Sequence, residues 1–367
     1  MTGNVCSKLA AMVTAFTLGS SSVEAQWTLT RLNPPGAAGS AAWDVSGNQQ
    51  AGNVVVNGDA HASLWSGTPE SWIDLNPAVS PNSTIRATNG NQQVGHAVVG
   101  SGMGVGVHAC MWSGTAASWV DLHPAGATQS WAYAISEDHQ AGAVALIGGG
   151  SHASLWSGTA ASWVDLHPAG ATSSSAQSAS EGFQGGSAIV SGVTHASLWS
   201  GTAESWVDLH PTGALRSGVL GISGNQQVGY SVMSGVFGRA GLWNGTANSW
   251  VDLNPVGSTH SEAWDTDGAR QVGVAYVAGK YRASLWSGTS ESWVELHAFV
   301  PPEIRSSYAH GISSDGINLY VTGYGYRMNT NEVEALLWSQ PIPEPGMTGL
   351  LLIGALTAAR SRRREHR

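Results

Sequence analysis

Residues 151–172 read SHASLWSGTAASWVDLHPAGAT, and most of this stretch recurs elsewhere in the chain. Its first half, HASLWSG, and its second half, SWVDLHP, each occur three times, beginning at His61, His152 and His195 and at Ser118, Ser162 and Ser205. The repeat is rich in turn residues and lacks a 3.6-residue apolar period, which favours short strands over helices. The 367-residue chain as a whole has 48 glycines and only 11% charged residues, as expected of an all-β protein with many tight turns.

Two tryptophans per unit give the period of the repeat. The first, in an LW-[SN]-G element whose turn is changed in the last copy, stands at Trp65, Trp112, Trp156, Trp199, Trp243, Trp286 and Trp338. The second, which opens a W-x-x-L element, stands at Trp27, Trp72, Trp119, Trp163, Trp206, Trp250 and Trp293. Successive members are 43 to 47 residues apart, except for a last step of 52. An all-β period of this length predicts a β-propeller with one four-stranded blade per unit.

The two ends of the repeat region complement each other. Trp27 to Leu32 reads as a fourth strand with no blade before it, whereas the last unit, Tyr308 to Trp338, supplies only three strands. Pairing the first strand with the last three would remove a raw sheet edge. We therefore predict an all-β, seven-bladed propeller whose ring is closed by the N-terminal strand.

The first 25 residues differ in character from the repeats. Lys8 precedes the apolar run from Leu9 to Leu18, and small residues follow up to Ala25. This pattern predicts a secretory signal peptide that is cleaved after Ala25. The predicted organisation is a signal peptide over residues 1–25, a propeller over 26–340 and a C-terminal tail over 341–367.

The tail has three parts in a fixed order. Pro343-Glu344-Pro345 is followed by an apolar run from Gly346 to Ala359 and by a basic cluster that starts at Arg360. The run is shorter than the roughly 20 residues of a spanning helix, and the cluster behind it is typical of a cytoplasmic flank. We expect a short apolar helix here.

This tail resembles the PEP-CTERM sorting tail of Gram-negative bacteria. The resemblance implies recognition at Pro343, Glu344 and Pro345 by an exosortase-type sorting enzyme, after transient anchoring in the inner membrane. It also implies delivery to the cell surface or the extracellular matrix.

The repeats carry a second resemblance. A hairpin with a tryptophan on each arm, preceded by a glycine-rich strand such as residues 144–149, resembles the kelch-type blade. The HAxLW…DL wording is similar to exported bacterial proteins known as HAF-repeat proteins. These resemblances cover residues 26–340 and imply an architecture, since propellers host many functions.

Charge and cysteine content exclude some functions. Residues 26–342 contain 9 Lys and Arg against 21 Asp and Glu, a net charge near −12. A nucleic-acid partner would need a basic face, so none is expected. Cys6 leaves with the signal peptide, so Cys110 has no disulfide partner within the mature chain.

The repeated histidines suggest a structural role. His61, His108, His152 and His195 begin third strands, and each stands once per blade, so equivalent ligands would lie on a wide ring. Later blades have Arg239, Arg282 and Glu334 at this position, which would not preserve a zinc site. A second set that ends the fourth strands is replaced by Asn76 and Asn254, which can make the same turn hydrogen bond. We predict neither a metal site nor a cofactor.

The acids also divide into two groups. One carboxylate recurs in each blade, as at Asp74 and Asp121, and supplies no asymmetry for catalysis. The acids that break the repeat are placed near turns by their position, and they are Asp44, Glu262, Asp265 and Asp267. No catalytic residue is predicted.

A binding site is expected where the wording of the repeat changes. The candidate ligand-binding residues are Trp43, Trp131, Trp264, Arg239 and Arg282. The leading functional prediction is a secreted, non-enzymatic propeller that binds extracellular polysaccharide or a surface protein. Two alternatives stay open: a polysaccharide hydrolase or lyase on this scaffold, and a structural matrix protein without a specific ligand. A cleft lined by residues of one or two blades, with two acids and a raised pKa, would favour the enzyme.

Deletion of residues 26–33 is expected to lower the melting temperature of the chain far more than deletion of a surface loop of similar length. The reason is that the last blade would lose its outer strand and expose a sheet edge. Thermal denaturation followed by circular dichroism checks this. An unchanged melting temperature would show that another segment closes the ring.

Overall fold

The computed structural model describes residues 26–100, 105–235, 237–328, 330 and 332–342. Within these residues, 28 strands form seven four-stranded antiparallel sheets arranged as the blades of a propeller. The predicted all-β, seven-bladed fold is confirmed.

The two inner strands of each blade form its longest hairpin. The innermost strands, from blade 1 to blade 7, are β2 (Gly39–Ser46), β6 (Ser83–Thr88), β10 (Ala127–Ser136), β14 (Ala171–Ser180), β18 (Arg216–Ser223), β22 (His260–Thr266) and β26 (Ile304–Ser314). The second strands are β3 (Gln49–Val56), β7 (Gln93–Val99), β11 (His139–Leu146), β15 (Phe183–Val190), β19 (Gln226–Val232), β23 (Gln271–Val277) and β27 (Asn318–Arg327).

The two outer strands contain the repeated motifs. The third strands are β4 (Asp59–Trp65), β8 (Gly106–Trp112), β12 (Ser151–Trp156), β16 (Val193–Trp199), β20 (Arg239–Trp243), β24 (Lys280–Trp286) and β28 (Val333–Pro341). The fourth strands are β5 (Ile73–Asp74), β9 (Val120–Asp121), β13 (Val164–Asp165), β17 (Val207–Asp208), β21 (Val251–Asp252), β25 (Val294–Glu295) and β1 (Thr28–Arg31). In blades 1 to 6 a single 3-10 turn joins the third strand to the two-residue fourth strand.

The N-terminal strand closes the ring. β1 pairs with β28 in antiparallel register, with Leu29 opposite Trp338 and Arg31 opposite Leu336. Blade 7 is therefore built from both ends of the repeat region, as predicted. The predicted C-terminal apolar helix and the signal peptide lie outside the described residues. Among the residues that are described, no helix is long and apolar enough to cross a membrane.

Each blade is joined to the preceding one by the tryptophan of its third strand. Trp156 of blade 3 is fully buried in a cluster that includes Met111 and Leu122 of blade 2. Trp65 of blade 1 packs in the same way against Leu337 of blade 7, across the closure. The fully buried tryptophans at these positions are Trp65, Trp112, Trp156, Trp199, Trp243, Trp286 and Trp338. The HAxLW repeat therefore provides one indole for each interface between neighbouring blades.

A buried serine near the start of each innermost strand adds a hydrogen bond across the same interface. The Ser130 hydroxyl oxygen of blade 3 accepts the Ala109 backbone N–H of blade 2 at 2.9 Å. It also lies 2.8 Å from Nδ1 of His123, whose Nε2 lies 3.2 Å from the Ala127 carbonyl oxygen. The equivalent serines, in blade order, are Ser40, Ser83, Ser130, Ser174, Ser217, Ser261 and Ser307.

Asparagine replaces histidine in this link without changing its pattern. Asn76 accepts a hydrogen bond from the Ser83 hydroxyl and donates its amide to the Ser80 carbonyl oxygen. Asn254 does the same with Ser261 and Ser258. The neutral imidazole of His123 matches this pattern when Nε2–H donates and Nδ1 accepts. The second set of histidines is thus explained by hydrogen bonding between blades.

A pair of one basic and one acidic side chain connects the third and fourth strands, and the two partners exchange strands in blade 7. His61 Nδ1 lies 2.8 Å from Asp74 Oδ2, and in blade 5 Arg239 takes the histidine's place opposite Asp252. In blade 7 the acid, Glu334, is on the third strand, and the base, Arg31, is on the closing strand. Arg31 donates from Nε and Nη2 to the two carboxylate oxygens, each at 2.7 Å. The exchange of signs on both partners makes the closing strand complementary to blade 7.

A double-mutant cycle on Arg31→Ala and Glu334→Ala tests whether this ion pair holds the closing strand on blade 7. Glu334 is only 8% exposed, so Arg31→Ala leaves a nearly buried carboxylate short of donors and is expected to cost about 2 kcal/mol. The double variant should be little less stable than either single variant, with a coupling of about 1–3 kcal/mol in urea unfolding. The more exposed Arg239–Asp252 pair is the control, with an expected coupling below about 1 kcal/mol. Additive effects at Arg31 and Glu334 would contradict this role of the ion pair.

Candidate functional site: the axial cavity

The innermost strand of each blade contains a β-bulge about halfway along its length. The pairing with the second strand shifts there in every blade, for example between Ala42 and Asp44, which leaves Trp43 unpaired. The seven unpaired residues are Trp43, Arg86, Tyr133, Gln177, Leu220, Trp264 and His310. A glycine stands opposite each bulge; a Cβ on Gly52 would overlap the carbonyl oxygen of Ala41. The bulge re-aims one side chain per blade.

The seven bulge residues line a common cavity of about 440 Å³ on the propeller axis. All its lining residues come from the innermost strands, and every blade contributes. Its volume falls within the range of about 300–1,000 Å³ that is typical of small-ligand sites. The cavity is therefore the candidate functional site. The side chains that line it differ from blade to blade, although the repeats are nearly identical elsewhere.

Two carboxyl groups converge on this cavity. Asp44 and Asp265 follow the bulge tryptophans of blades 1 and 6 and line the cavity wall. Asp44 accepts the backbone N–H of Val45 and, from blade 2, that of Thr88, each at 2.7 Å. Asp265 accepts the N–H of Thr266 at 2.8 Å and, from blade 7, that of Ile312 at 2.9 Å.

Blade 7 lies between the two acids and has a glycine at the equivalent position. A Cβ on Gly311 would meet the Cα of Asp44 at 2.9 Å, so a larger side chain would displace the neighbouring strand. Burial raises the pKa of Asp44 to about 6. Burial also raises the pKa of Asp265 well above its usual range, with a further contribution from the negative charge of Asp44. The pair therefore holds a proton at pH values at which isolated aspartates have lost theirs.

Three aromatic rings stand beside the acids. The His310 ring of blade 7 stacks on Trp264 with centroids 4.0 Å apart and meets the edge of Trp43 at 4.8 Å. The indole N–H groups donate to Asn53 and Glu262, each at 2.9 Å, which fixes both tryptophan rings. Blades 1, 7 and 6 thus present the sequence Trp-Asp, His-Gly and Trp-Asp side by side.

The cavity also contains a cation. The Arg86 guanidinium carbon lies 4.6 Å from the centroid of the Trp43 ring. Burial lowers the pKa of Arg86, and burial together with the charge of Arg86 lowers the pKa of His96 to about 4. Burial, aided by the charge of Arg86, also holds the pKa of His310 well below its usual value. His310 is therefore neutral.

Tyrosines extend the aromatic surface from the cavity along blade 7. Tyr308 stacks near Trp264, with centroids 6.0 Å apart, and on Tyr324 at 4.9 Å. Tyr281 and Tyr326 lie at 5.4 Å and 5.9 Å from Tyr308. Burial raises the pKa of Tyr308 to about 12, so its hydroxyl stays protonated at neutral pH. This cluster gives blades 6 and 7 a continuous aromatic track.

The structure separates the candidates that the sequence indicated. Trp43 and Trp264 line the cavity. Trp131 is partly buried two residues before the bulge residue of its strand and is not part of the cavity wall. Arg239 and Arg282 lie on third strands, where they pair with Asp252 at 2.5 Å and Glu295 at 2.9 Å. Their place is that of the His–Asp pairs, outside the cavity. Pro343, Glu344, Pro345 and Ala25 lie outside the described residues.

Sequence reasoning missed several residues of the site. Arg86, Tyr133 and His310 were not singled out, and Asp44 and Asp265 were set aside as acids near turns. The available signal was the pair of Trp-Asp dipeptides, at 43–44 and 264–265, which occur in two blades alone among the inner strands. A second signal was the column of bulge residues, in which no side chain recurs apart from this tryptophan.

The repeated histidines of blades 2 to 4 stack on one another in pairs. Among the described residues there is no group of three or more His, Cys, Asp or Glu side chains that could hold a metal ion. The first set stacks on the second instead, as with His108 on His123 at 3.8 Å and His152 on His167 at 3.9 Å.

Comparisons with solved structures agree on the fold. The chain is similar to the β-propeller domain of the Trilobed protease from Pyrococcus furiosus, with a TM-score of 0.51 and 10% identity over 83% of this chain and 98% of that chain. It is similar to an oligogalacturonate lyase in complex with manganese, with a TM-score of 0.51 and 10% identity over 88% of this chain and 97% of that one. No protein-family model matches the chain, and neither does any curated protein.

A third similar structure is an acylaminoacyl peptidase from Pyrococcus horikoshii, with a TM-score of 0.52 and 10% identity over 85% of this chain. The chain spans about half of that peptidase, 54% of its length. At such identities the likeness establishes the fold alone. The finding nevertheless corrects the expectation of a non-enzymatic protein, because the propellers that this fold resembles come from peptidases and a lyase.

The triple variant His123→Asn, His167→Asn, His210→Asn tests the neutral histidine links. Burial lowers the pKa of all three histidines below the ordinary value of 6.5. Below about pH 6.5 the unfolded chain binds protons that the folded chain does not, so these histidines remove stability as the pH falls. The variant's melting temperature should fall less than the parent's between about pH 7 and about pH 5. Parallel curves would contradict the assignment of neutral histidines.

Proposed function

We propose that the chain is an enzyme that hydrolyses a polysaccharide in its axial cavity. The observation that carries the proposal is the pair of carboxyl groups of Asp44 and Asp265, which line one cavity and whose pKa values are both raised by burial. Glycoside hydrolysis needs two carboxyl groups in different protonation states on either side of the scissile bond. The asymmetry that the repeats lack elsewhere is present at this point of the ring.

The propeller itself does not need these acids. The five other blades form the same bulge with Ala87, Ala134, Ser178, Gly221 or Gly311 at the equivalent position. A carboxyl group whose pKa is raised by burial is held at a cost to stability. Retaining two of them where alanine or glycine suffices is most simply explained by a chemical role.

The protonation states suggest separate roles. Asp265, whose pKa is raised by burial and by the charge of Asp44, is the proposed acid and gives its proton to the glycosidic oxygen as that bond breaks. Asp44, in its ionised form, removes a proton from a water molecule that attacks the anomeric carbon, or attacks that carbon itself. Water finally supplies the hydroxyl of the new reducing end, and a proton returns to the pair.

The aromatic residues fit a sugar substrate. Trp43 and Trp264 have their N–H groups engaged with Asn53 and Glu262, so their ring faces are held in fixed orientations. Rigid aromatic rings bury large apolar areas with little loss of conformational entropy, which suits the C–H faces of pyranose rings. Tyr308 and Tyr324 would extend the same surface to further sugar units.

We further propose that this enzyme acts outside the cytoplasm of a Gram-negative bacterium, at the cell surface or in the matrix. Support comes from the predicted signal peptide of residues 1–25 and from the likeness of residues 343–367 to a PEP-CTERM tail. The likeness of the blades to HAF-repeat and kelch-type proteins belongs to the same proposal. Extracellular polysaccharide is then the substrate, and an exosortase-type sorting enzyme is a partner.

Turnover by the Asp44→Asn and Asp265→Asn variants tests the hydrolase directly. The purified chain should release reducing ends from at least one member of a panel of acidic and neutral polysaccharides. Each variant should be slower by a factor of about 100 to 10,000, the usual contribution of a general acid or base. The parent's activity should fall as the pH drops through about 6, where Asp44 becomes protonated.

Controls separate chemistry from folding. Asp138→Asn changes an exposed acid outside the cavity wall and should leave turnover unchanged. Asp44→Ala and Asp265→Ala give these blades the side chain of blade 2 and should keep a melting temperature close to that of the parent. Full activity in both Asn variants, or no turnover of any polysaccharide by the folded parent, would refute the proposal.

A further inference from the structure

We propose that the axial cavity has an anion-binding subsite at Arg86, so that the substrate is an acidic glycan whose charged group pairs with this guanidinium. That the bound anion belongs to a substrate rests on the proposed function, whereas the subsite itself rests on the contacts of Arg86. It specifies a chemical class that neither the repeat nor the fold assigns.

Among the described residues, Arg86 differs from most arginines in having no carboxylate within ion-pair distance. Within the described residues, Arg31, Arg239, Arg270, Arg282 and Arg327 all lie within 4.0 Å of an acid. Among these residues no such ion pair involves Arg86, whose guanidinium carbon lies 4.6 Å from the centroid of the Trp43 ring. An arginine that is surrounded by protein without a counter-ion is costly unless a ligand supplies one.

The surroundings leave the guanidinium available to a ligand. The Trp43 ring lies against the group, while the charge of Arg86 acts on Tyr133 of blade 3 and on Tyr324 and His310 of blade 7. These neighbours are neutral, so they do not cancel the charge. Stacking on an aromatic face orients the planar fork and leaves its edge free for a bidentate contact.

The two acids of the cavity do not neutralise Arg86. Neither the pKa of Asp44 nor the pKa of Asp265 is lowered by Arg86; both are raised by burial. The cavity thus has a cation on blade 2 and two acids with raised pKa values on blades 1 and 6, which flank blade 7. A sugar at the acids would present a neighbouring carboxylate or sulfate ester to Arg86.

Binding of matched sugar probes tests the subsite. A short oligogalacturonate, its fully methyl-esterified form and the corresponding neutral galacto-oligosaccharide differ mainly in the charge at one carbon. Isothermal titration calorimetry on the full chain should give clearly tighter binding for the oligogalacturonate. A sulfated galacto-oligosaccharide forms a further arm, and stronger binding of this probe would identify a sulfate ester as the preferred anion.

Variants locate the effect at Arg86. Arg86→Gln should weaken binding of the charged probe about 10- to 100-fold, the factor for losing a charge-assisted hydrogen bond, and should leave the neutral probe unaffected. Arg86→Lys keeps the charge without the fork and should lose less. Lys280→Gln removes an exposed charge away from the cavity wall and is the control, with no expected change. Melting temperatures establish that each variant is folded.

The outcomes distinguish this inference from the proposed function. Turnover of neutral polysaccharide alone, with Arg86→Gln fully active, would overturn the subsite and leave the hydrolase standing. Charge-dependent binding lost in Arg86→Gln, without turnover by the parent, would support the subsite and refute the hydrolase. Equal affinities of the folded parent for charged and neutral probes would overturn the subsite, as would no binding of any charged probe.

Discussion

The fully buried tryptophan of each third strand is the contact on which the ring depends. Trp65 joins blade 1 to blade 7, and Trp338 joins blade 7 to blade 6, so a buried tryptophan also stands at the interfaces on both sides of the closing blade. The apolar residues form seven separate clusters with one such indole each, and none of them extends across the axis. Replacing a buried tryptophan by alanine typically costs about 3–5 kcal/mol, a large part of a domain's stability. The repeat is strict because every interface meets the same packing requirement.

At the closure of the ring, the contacts between strands are the same as elsewhere except for the pair of charged side chains. The serine link crosses the closure unchanged, since Ser40 accepts the Ala335 N–H just as Ser83 accepts that of Ala62. The ion pair, by contrast, is reversed, with Arg31 and Glu334 in the places held by an acid and a base in the other blades. Hydrogen bonding therefore gives the closing strand the general geometry of a fourth strand, and the reversed charges make it specific for blade 7.

The sequence was sufficient to predict the blades, because the features that build them recur. Seven tryptophans of each kind, and a first strand without a blade, led to the observed number of blades and their closure. The cavity was harder to predict, because its residues are defined by a bulge that interrupts the alternation of buried and exposed positions. Trp43 and Trp264 were found as irregular tryptophans, whereas Arg86 and His310 occupy the same column without resembling them. Arg239 and Arg282 depart from the repeated sequence only because arginine can replace histidine opposite an acid.

The contrast between interface and axis explains where chemistry can reside in such a ring. Positions that face a neighbouring blade are fixed by volume and hydrogen bonding, so alanine, serine, leucine and tryptophan return there in every unit. The bulge residue faces the cavity, and the glycine opposite it accommodates the bulge whatever the side chain is. Freed from packing, this column contains six residue types, and the following position has an acid only in blades 1 and 6. Because burial opposes the ionisation of Asp44 and Asp265, their presence works against the stability that the rest of the repeat serves. A seven-fold scaffold thus becomes asymmetric at the axis, where side chains can change without disturbing the contacts that hold the blades together.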